Sequence, residues 1–122
     1  MGQRFYLASP DLGDYTPREC KILREVKGVL RPKSHYLLVD VTPPIRARFR
    51  DEPETEYKQI IIALVGGQKL ENIGRVPVFG DVILCPAYVS RAVDEKQCSK
   101  IGTALLHATY AEAEASNPWE NR

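Results

Sequence analysis

Short apolar runs separated by proline and glycine dominate the chain, and this pattern predicts extended strands. The segment His35–Thr42 combines β-branched and aromatic residues and is followed by Pro43, which is typical of a strand and its end. Residues 57–65 form the most apolar segment, with three consecutive isoleucines ahead of Gly66. Because such a run is tolerated where both faces of a strand are covered, we predict that Ile60–Ile62 lies in the middle of a sheet.

Two further strand-like segments follow. Val82–Cys85 is apolar and ends before a proline, which predicts a strand. Arg75–Phe79 contains a proline, so it is interpreted as an edge strand or as the start of a strand, and an exposed strand edge near Val76 would invite pairing. Gly80 and Asp81 separate the two segments and indicate a break between them.

Two segments leave the choice between helix and strand open. In residues 17–30, Thr16–Glu19 matches a helical capping box, and apolar residues follow at helical spacing. Gly28 in the interior of such a helix would cost about 1 kcal/mol relative to alanine, so a strand is equally arguable. In residues 103–115, threonines favour a strand as far as Tyr110 and alanines favour a short helix after it, with one continuous helix as the alternative.

Together these patterns predict a mainly β fold, namely a small antiparallel partial barrel or sandwich with one or two short helices. An α+β fold with a ferredoxin-like layer is the alternative if both open segments are helices. A chain of 122 residues with 43% hydrophobic content supports one core, so we predict a single domain over residues 1–122. Residues 117–122 are expected to form a frayed tail.

The charge is balanced overall but unevenly distributed. The 17 basic and 16 acidic residues exclude the strong overall field of a dedicated nucleic-acid binder. Residues 1–50 carry ten basic and five acidic residues, whereas the remainder is net acidic. Arg46, Arg48 and Arg50 alternate and would project to one side of an extended segment, so they are the candidate ligand-binding residues for phosphate or bases. We favour the hypothesis that the acidic run at 51–56 neutralises them.

The chain's amino-terminal residues predict a cytoplasmic protein, and reduced cysteines are expected there. Cys20, Cys85 and Cys98 are an odd number without metal-binding spacing, so we predict reduced, structurally passive thiols, no metal site and no cofactor. The first residues lack the apolar segment of an export signal. No stretch approaches the roughly 20 apolar residues of a membrane-spanning helix, so no membrane association is expected.

Candidate catalytic groups are few, and no catalytic residue is predicted. The sequence contains no phosphate-binding glycine loop, GxSxG elbow or HExxH motif. A cysteine could meet His35 or His107 in space, and Asp40 could meet Asp81 as a carboxylate pair. The simpler interpretations are a solvated His35, a half-buried His107, an outward-facing Asp40 and a turn residue at Asp81.

Three functional hypotheses follow from these observations. The first is a non-catalytic protein-interaction or self-associating module, with a protein partner or a homo-oligomer, which an exposed apolar patch would favour. The second is nucleic-acid or phospholigand binding through the basic N-terminal half, which would show a salt-dependent affinity. The third is a small enzyme whose site unites a histidine with a cysteine or an aspartate in one pocket.

Overall fold

The computed structural model describes residues 3–9, 16–28, 35–64, 67–85, 92–94 and 96–116. Its strands are β1 (Arg4–Ala8), β2 (Arg18–Gly28), β3 (His35–Ala47), β4 (Thr55–Leu64), β5 (Val78–Leu84), β6 (Ala92–Val93) and β7 (Ser99–His107). One short helix, α1 (Tyr110–Ala115), and a 3-10 turn at Leu70–Asn72 complete the described secondary structure. Strands therefore form most of the described chain.

Six of the strands close into an antiparallel barrel. Their order is β1-β7-β5-β4-β3-β2, and pairing of β1 with β2 closes the ring. The chain runs up and down through neighbouring strands, with β6 outside the ring in parallel pairing with the end of β2. The predicted mainly β, antiparallel fold is confirmed, with a closed barrel in place of a partial one, and the ferredoxin-like alternative is wrong.

Alternate residues of the barrel strands point inward and fill its interior. On β4 these are Ile60 and Ile62, whose side chains are almost completely buried. The full set of buried interior residues comprises Phe5, Leu7, Cys20, Ile22, Leu37, Val39, Val41, Ile45, Ile60, Ile62, Leu64, Val78, Val82, Leu84, Ala104 and Leu106. The interior of this small barrel is thus a packed hydrophobic core.

A second apolar cluster on the outside of the barrel explains the three consecutive isoleucines. Ile61 points away from the interior and is 5% exposed, because it packs with Tyr36 and Ile83 of the neighbouring strands. Val93 of β6 and Cys98 belong to the same outer cluster. Both faces of β4 are therefore covered, and β4 pairs with β3 and β5, which confirms the prediction of a central strand.

The helical interpretation of residues 17–30 is wrong, because the described part of this segment forms β2. A β-bulge between Ile22 and Arg24 shifts the register against β3. The bulge interrupts the alternation of inward and outward residues, so that apolar positions on its two sides imitate helical spacing. Thr16 and Glu19, which matched a capping box, lie before and within the strand.

The change from strand to helix near the end of the chain is confirmed. Strand β7 ends at His107, three residues before the predicted limit at Tyr110. Thr109 is the N-cap, and its Oγ1 accepts a hydrogen bond from Glu112 N, a donor that the first turn would otherwise leave unpaired. Glu112 Oε2 in turn accepts a hydrogen bond from Ala108 N, one residue before the N-cap.

Strands continue through two positions, one proline and one glycine, where the sequence predicted that they end. Strand β3 continues through Pro43 by means of an irregularity between Asp40 and Ile45, where its register against β4 shifts. Strand β5 continues through Gly80 and pairs on both sides, with β4 and β7. The edge-strand alternative is therefore wrong, whereas β5 begins at Val78, directly after Pro77, as the strand-start alternative predicts. Val76 precedes β5 without entering it.

Gly80 lies within strand β5, where its backbone packs closely against Ile62, and not in a turn. This close packing gives a testable prediction. A Cβ atom at this position would lie 2.6 Å from Ile62 Cγ2 in the packed interior. We expect Gly80→Ala to lower the free energy of unfolding by about 1–3 kcal/mol through overpacking, measured by urea denaturation. As a comparison, Gly67→Ala adds a Cβ in open space at φ 77° and should cost only about 1 kcal/mol of backbone strain. A Gly80→Ala protein as stable as the parent would contradict the close contact.

Candidate functional site: an apolar groove beside strand β5

A groove lies where the segment preceding β5 meets the end of β7 and the start of α1. Its volume is about 280 Å³, and its lining residues are Gly74, Arg75, Val76, Pro77, Leu105, Leu106, His107 and Glu112. Val76, Pro77 and Leu105 supply apolar walls, whereas Arg75 and Glu112 supply charges of opposite sign. The groove thus combines an apolar surface with two charged groups.

Phe79 extends this apolar surface along the outside of the barrel. It lies directly opposite Leu105 in the pairing of β5 with β7, and its side chain faces outward. Phe79 is 46% exposed and Val76 is 52% exposed, so about half of each large apolar side chain is open to solvent. We refer to Val76, Pro77, Phe79 and Leu105 as the β5–β7 surface.

Other parts of the outer face are covered. Residues of β6 and the following segment cover the apolar outer face around Ile61, and α1 contacts β1 and β7. Tyr110 of α1 packs edge-on against Tyr6 of β1, with ring centroids 6.2 Å apart. Within the described ranges no element covers Phe79 and Val76 in this way. Tyr110 nevertheless remains 48% exposed, so the described outer face has two uncovered apolar parts, Tyr110 and the β5–β7 surface. Of these two, the β5–β7 surface contributes residues to the groove.

His107 and Glu112 determine the electrostatics of the groove. Burial of the His107 ring lowers its pKa below the ordinary value, and the nearby Glu112 carboxylate opposes this shift. The His107 Nε2 atom is buried and has no hydrogen-bond partner in the described part of the chain. The imidazole is consequently held in its neutral form more strongly than a solvated histidine would be.

A lowered pKa at His107 predicts a specific dependence of stability on pH. The unfolded chain binds a proton near the ordinary histidine pKa of 6.5, whereas the folded chain binds it only at lower pH. Stability is therefore lost as the pH falls from this value through the lowered pKa. We expect the melting temperature of the parent to drop more between pH 7 and pH 5 than that of His107→Gln. Equal drops in the two proteins would contradict this assignment.

The cysteines form a disulfide, so the prediction of three reduced thiols is wrong. Cys85 is bonded to Cys98, and their Cα atoms are 4.6 Å apart. The reason lies in the sheet: Leu84 pairs with Ser99, which places the next residue of β5 beside the residue that precedes β7. The sequence separation of 13 conceals this proximity.

The candidate Cys/His pairing, which the sequence left open, is not assembled among the described residues. Cys20 is a free thiol in the barrel interior, and burial raises its pKa to about 12, so it is not a thiolate at neutral pH. His35 lies at the other end of β3 from the hairpin and contacts Glu25 through Nδ1, 2.7 Å from Oε1. His107 lies in the groove, whose lining contains neither a cysteine nor an aspartate.

The two candidate aspartates are also apart and have local partners. Asp40 accepts a hydrogen bond from Gln59 Nε2 at 3.1 Å. Asp81 lies within β5, not in a turn, and pairs with Lys100 Nζ at 3.3 Å. Their partners on β4 are Gln59 and Ala63, four residues or about 13 Å apart along that strand. The carboxylate pair is therefore not formed.

The three candidate arginines lie in and beside the β3–β4 hairpin. Arg46 pairs with Glu54 at 3.3 Å and Glu56 at 3.8 Å, as neutralisation by the acidic run requires. Arg48 is exposed beyond the end of β3, and Arg50 adopts a positive φ of 53° in the turn. The Arg50 guanidinium donates to the backbone oxygen of Lys96 at 2.6 Å and lies over the neighbouring phenylalanine ring. Strand β3 ends at residue 47, so the alternation that would place all three arginine side chains on one side does not extend to Arg48 and Arg50. Ligand binding by the three arginines stays a prediction.

Three further searches, for a metal site, for a membrane-spanning helix and for similar proteins, identify no function for the groove. The described residues contain no group of three or more His, Cys, Asp or Glu side chains that could hold a metal ion. No helix in the described ranges is both long and apolar enough to cross a membrane. No protein-family model matches the chain, and no curated protein or solved structure matches it significantly.

Proposed function

We propose that this protein is a non-catalytic, self-associating module that forms a two-fold dimer through the β5–β7 surface. The observation that carries the proposal is the half-exposure of Val76 and Phe79 on an apolar face that no described element covers. Contiguous apolar side chains on an outer face are typical of protein interfaces. The charges beside the β5–β7 surface favour a second copy of the chain as the binding partner.

The charges of the groove support a self-complementary interface. Arg75 and Glu112 both line the groove, and neither forms an ion pair with a described residue. In a two-fold dimer each interface contact occurs twice, so Arg75 of one copy would face Glu112 of the other at both symmetric positions. The opposite charges would fix the register of the apolar contact.

The apolar area sets the expected strength. Covering one large apolar side chain completely contributes about 1.5–3 kcal/mol, so completing the burial of the four partly buried side chains of the β5–β7 surface on both copies contributes roughly 6–12 kcal/mol. Association itself costs at least about 4 kcal/mol, which leaves on the order of 5 kcal/mol. We therefore expect a weak dimer with a Kd on the order of 100 µM.

Sedimentation velocity across a concentration series tests the proposal. The parent should shift from the 13.8 kDa monomer towards twice that mass as its concentration passes the Kd. Phe79→Lys should abolish the shift, because it places a charge in the centre of the apolar contact. Thr55→Lys is the matched control, since Thr55 is an exposed strand residue on β4, away from the β5–β7 surface.

Two outcomes would contradict the proposal. The first is a parent that stays monomeric at about ten times the expected Kd. The second is a Phe79→Lys protein that dimerises as strongly as Thr55→Lys. Circular dichroism of both variants confirms that each retains the strand content of the parent.

The location of the protein is a separate proposal. The predicted cytoplasmic location implies reduced thiols, whereas a structural disulfide such as Cys85–Cys98 is typical of oxidising compartments. The cytoplasmic location stays a prediction, and this bond weighs against it. Fractionation of the producing cell, followed by thiol labelling of each fraction, tests it.

A further inference from the structure

A second cavity lies at the mouth of the barrel, at the end opposite the β3–β4 hairpin. Its volume is about 390 Å³, within the roughly 300–1,000 Å³ range of small-molecule sites. Leu37 and Leu64 from the barrel strands and Leu70 from the 3-10 turn supply its apolar lining. Barrel mouths are a common position for ligand sites because several strand ends and loops converge there.

Four charged or titratable side chains line this mouth, of which two are paired with each other and two are exposed to solvent. Glu25 and His35 contact each other at 2.7 Å. Lys69 and Glu71 stand on either side of Leu70 in the chain, are both exposed, and form no ion pair with a described residue. One ammonium and one carboxylate therefore stand beside the partly exposed Leu70 and the edges of the buried Leu37 and Leu64.

We propose that the barrel mouth binds a small zwitterion with an apolar side group, of the class of free aliphatic α-amino acids. The ligand carboxylate pairs with the Lys69 ammonium, and the ligand ammonium pairs with the Glu71 carboxylate. The aliphatic side chain contacts Leu37, Leu64 and Leu70. A ligand with only one charge would leave one of the two protein groups without its partner, so the zwitterion is preferred.

Titration of the full chain with L-leucine, followed by two-dimensional ¹H–¹⁵N NMR, tests this site. We expect saturable shifts of the Leu64 and Leu70 amides, with a Kd on the order of 1 mM for so exposed a site. N-acetyl-L-leucine lacks the ammonium and L-leucinamide lacks the carboxylate, so both should bind more weakly. Lys69→Met and Glu71→Gln should each weaken L-leucine binding by about fivefold. Lys58→Met, which removes an exposed lysine from β4, should leave it unchanged.

Three results would overturn the proposal. One is the absence of saturable shifts at about ten times the expected Kd. Another is equal affinity for leucine and its two singly charged analogues, which would indicate apolar binding alone. The third is an unchanged affinity in Lys69→Met and Glu71→Gln, whose side chains lie outside the packed interior and whose folding the NMR spectra report directly.

Discussion

An Ile61→Asp protein is expected to lose the cooperative fold of the barrel. Ile61 lies on the central strand β4, faces the outer apolar cluster and is 5% exposed. A carboxylate at this position would have to be buried without a partner or remain protonated, at a cost of several kcal/mol. Because a domain of this kind is stabilised by only about 5–15 kcal/mol, that cost removes most of its stability.

The matched control for this variant is Thr55→Asp, which places the same side chain at the exposed start of the same strand. Thermal denaturation followed by circular dichroism and light scattering should show a cooperative transition for Thr55→Asp and none, or aggregation, for Ile61→Asp. A cooperatively melting Ile61→Asp protein would show that the outer face of β4 is not covered as described.

The second large effect is expected at the disulfide. In the chain-entropy description, cross-linking residues 13 positions apart stabilises the folded state by about 3 kcal/mol relative to the reduced chain. Cys98 itself belongs to the outer cluster together with Val93, so the bond joins this cluster to the end of β5. We therefore expect the Cys85→Ser, Cys98→Ser double variant to unfold at clearly lower urea concentration than the oxidised parent.

Reductant provides the internal control for this prediction. It should lower the unfolding midpoint of the parent towards that of the double variant and leave the double variant unchanged. Thiol titration of the unfolded, unreduced parent should find one free group, Cys20. Three free groups, or a parent insensitive to reductant, would contradict the bond.

The parts of the fold that follow from local chemistry are predictable from sequence. The isoleucine run of β4 identifies a strand covered on both faces, and alanines after Thr109 identify the helix α1. Strand β2 is harder to predict from the sequence, because its β-bulge shifts the alternation of inward and outward residues partway along the strand. Gly80 imitates a turn because its real partner, Ile62, comes from another strand. The disulfide likewise depends on the register of β5 against β7, which no local pattern encodes.

The candidate surface shows the same division between local and long-range information. Val76 is conspicuous in the sequence as an apolar residue beside a proline, although it belongs to no strand edge. Its neighbours Leu105 and His107 arrive about thirty positions later, from the far strand of the pair. The path of the connecting segments around the barrel decides which outward-facing apolar residues are covered. The alternation of residues along a strand shows only that a side chain faces outward, and it does not show whether that side chain is exposed or buried.

The proposed dimer is tested most directly by exchanging charges between two copies. Arg75→Glu and Glu112→Arg each place like charges opposite one another at both symmetric contacts of the interface, so each protein alone should sediment as a monomer. Mixed in equal amounts, the two proteins carry opposite charges at both contacts and should sediment as a heterodimer. Glu112→Arg also removes the hydrogen bond from Ala108 N to Glu112 at the start of α1. If damage to α1 were the reason for the loss of dimer, mixing the two proteins would not restore it, because the partner protein cannot replace that bond. Sedimentation velocity of the separate and mixed variants at about ten times the Kd of the parent is therefore decisive: recovery of dimer only in the mixture supports the β5–β7 interface, and a mixture that remains monomeric contradicts it.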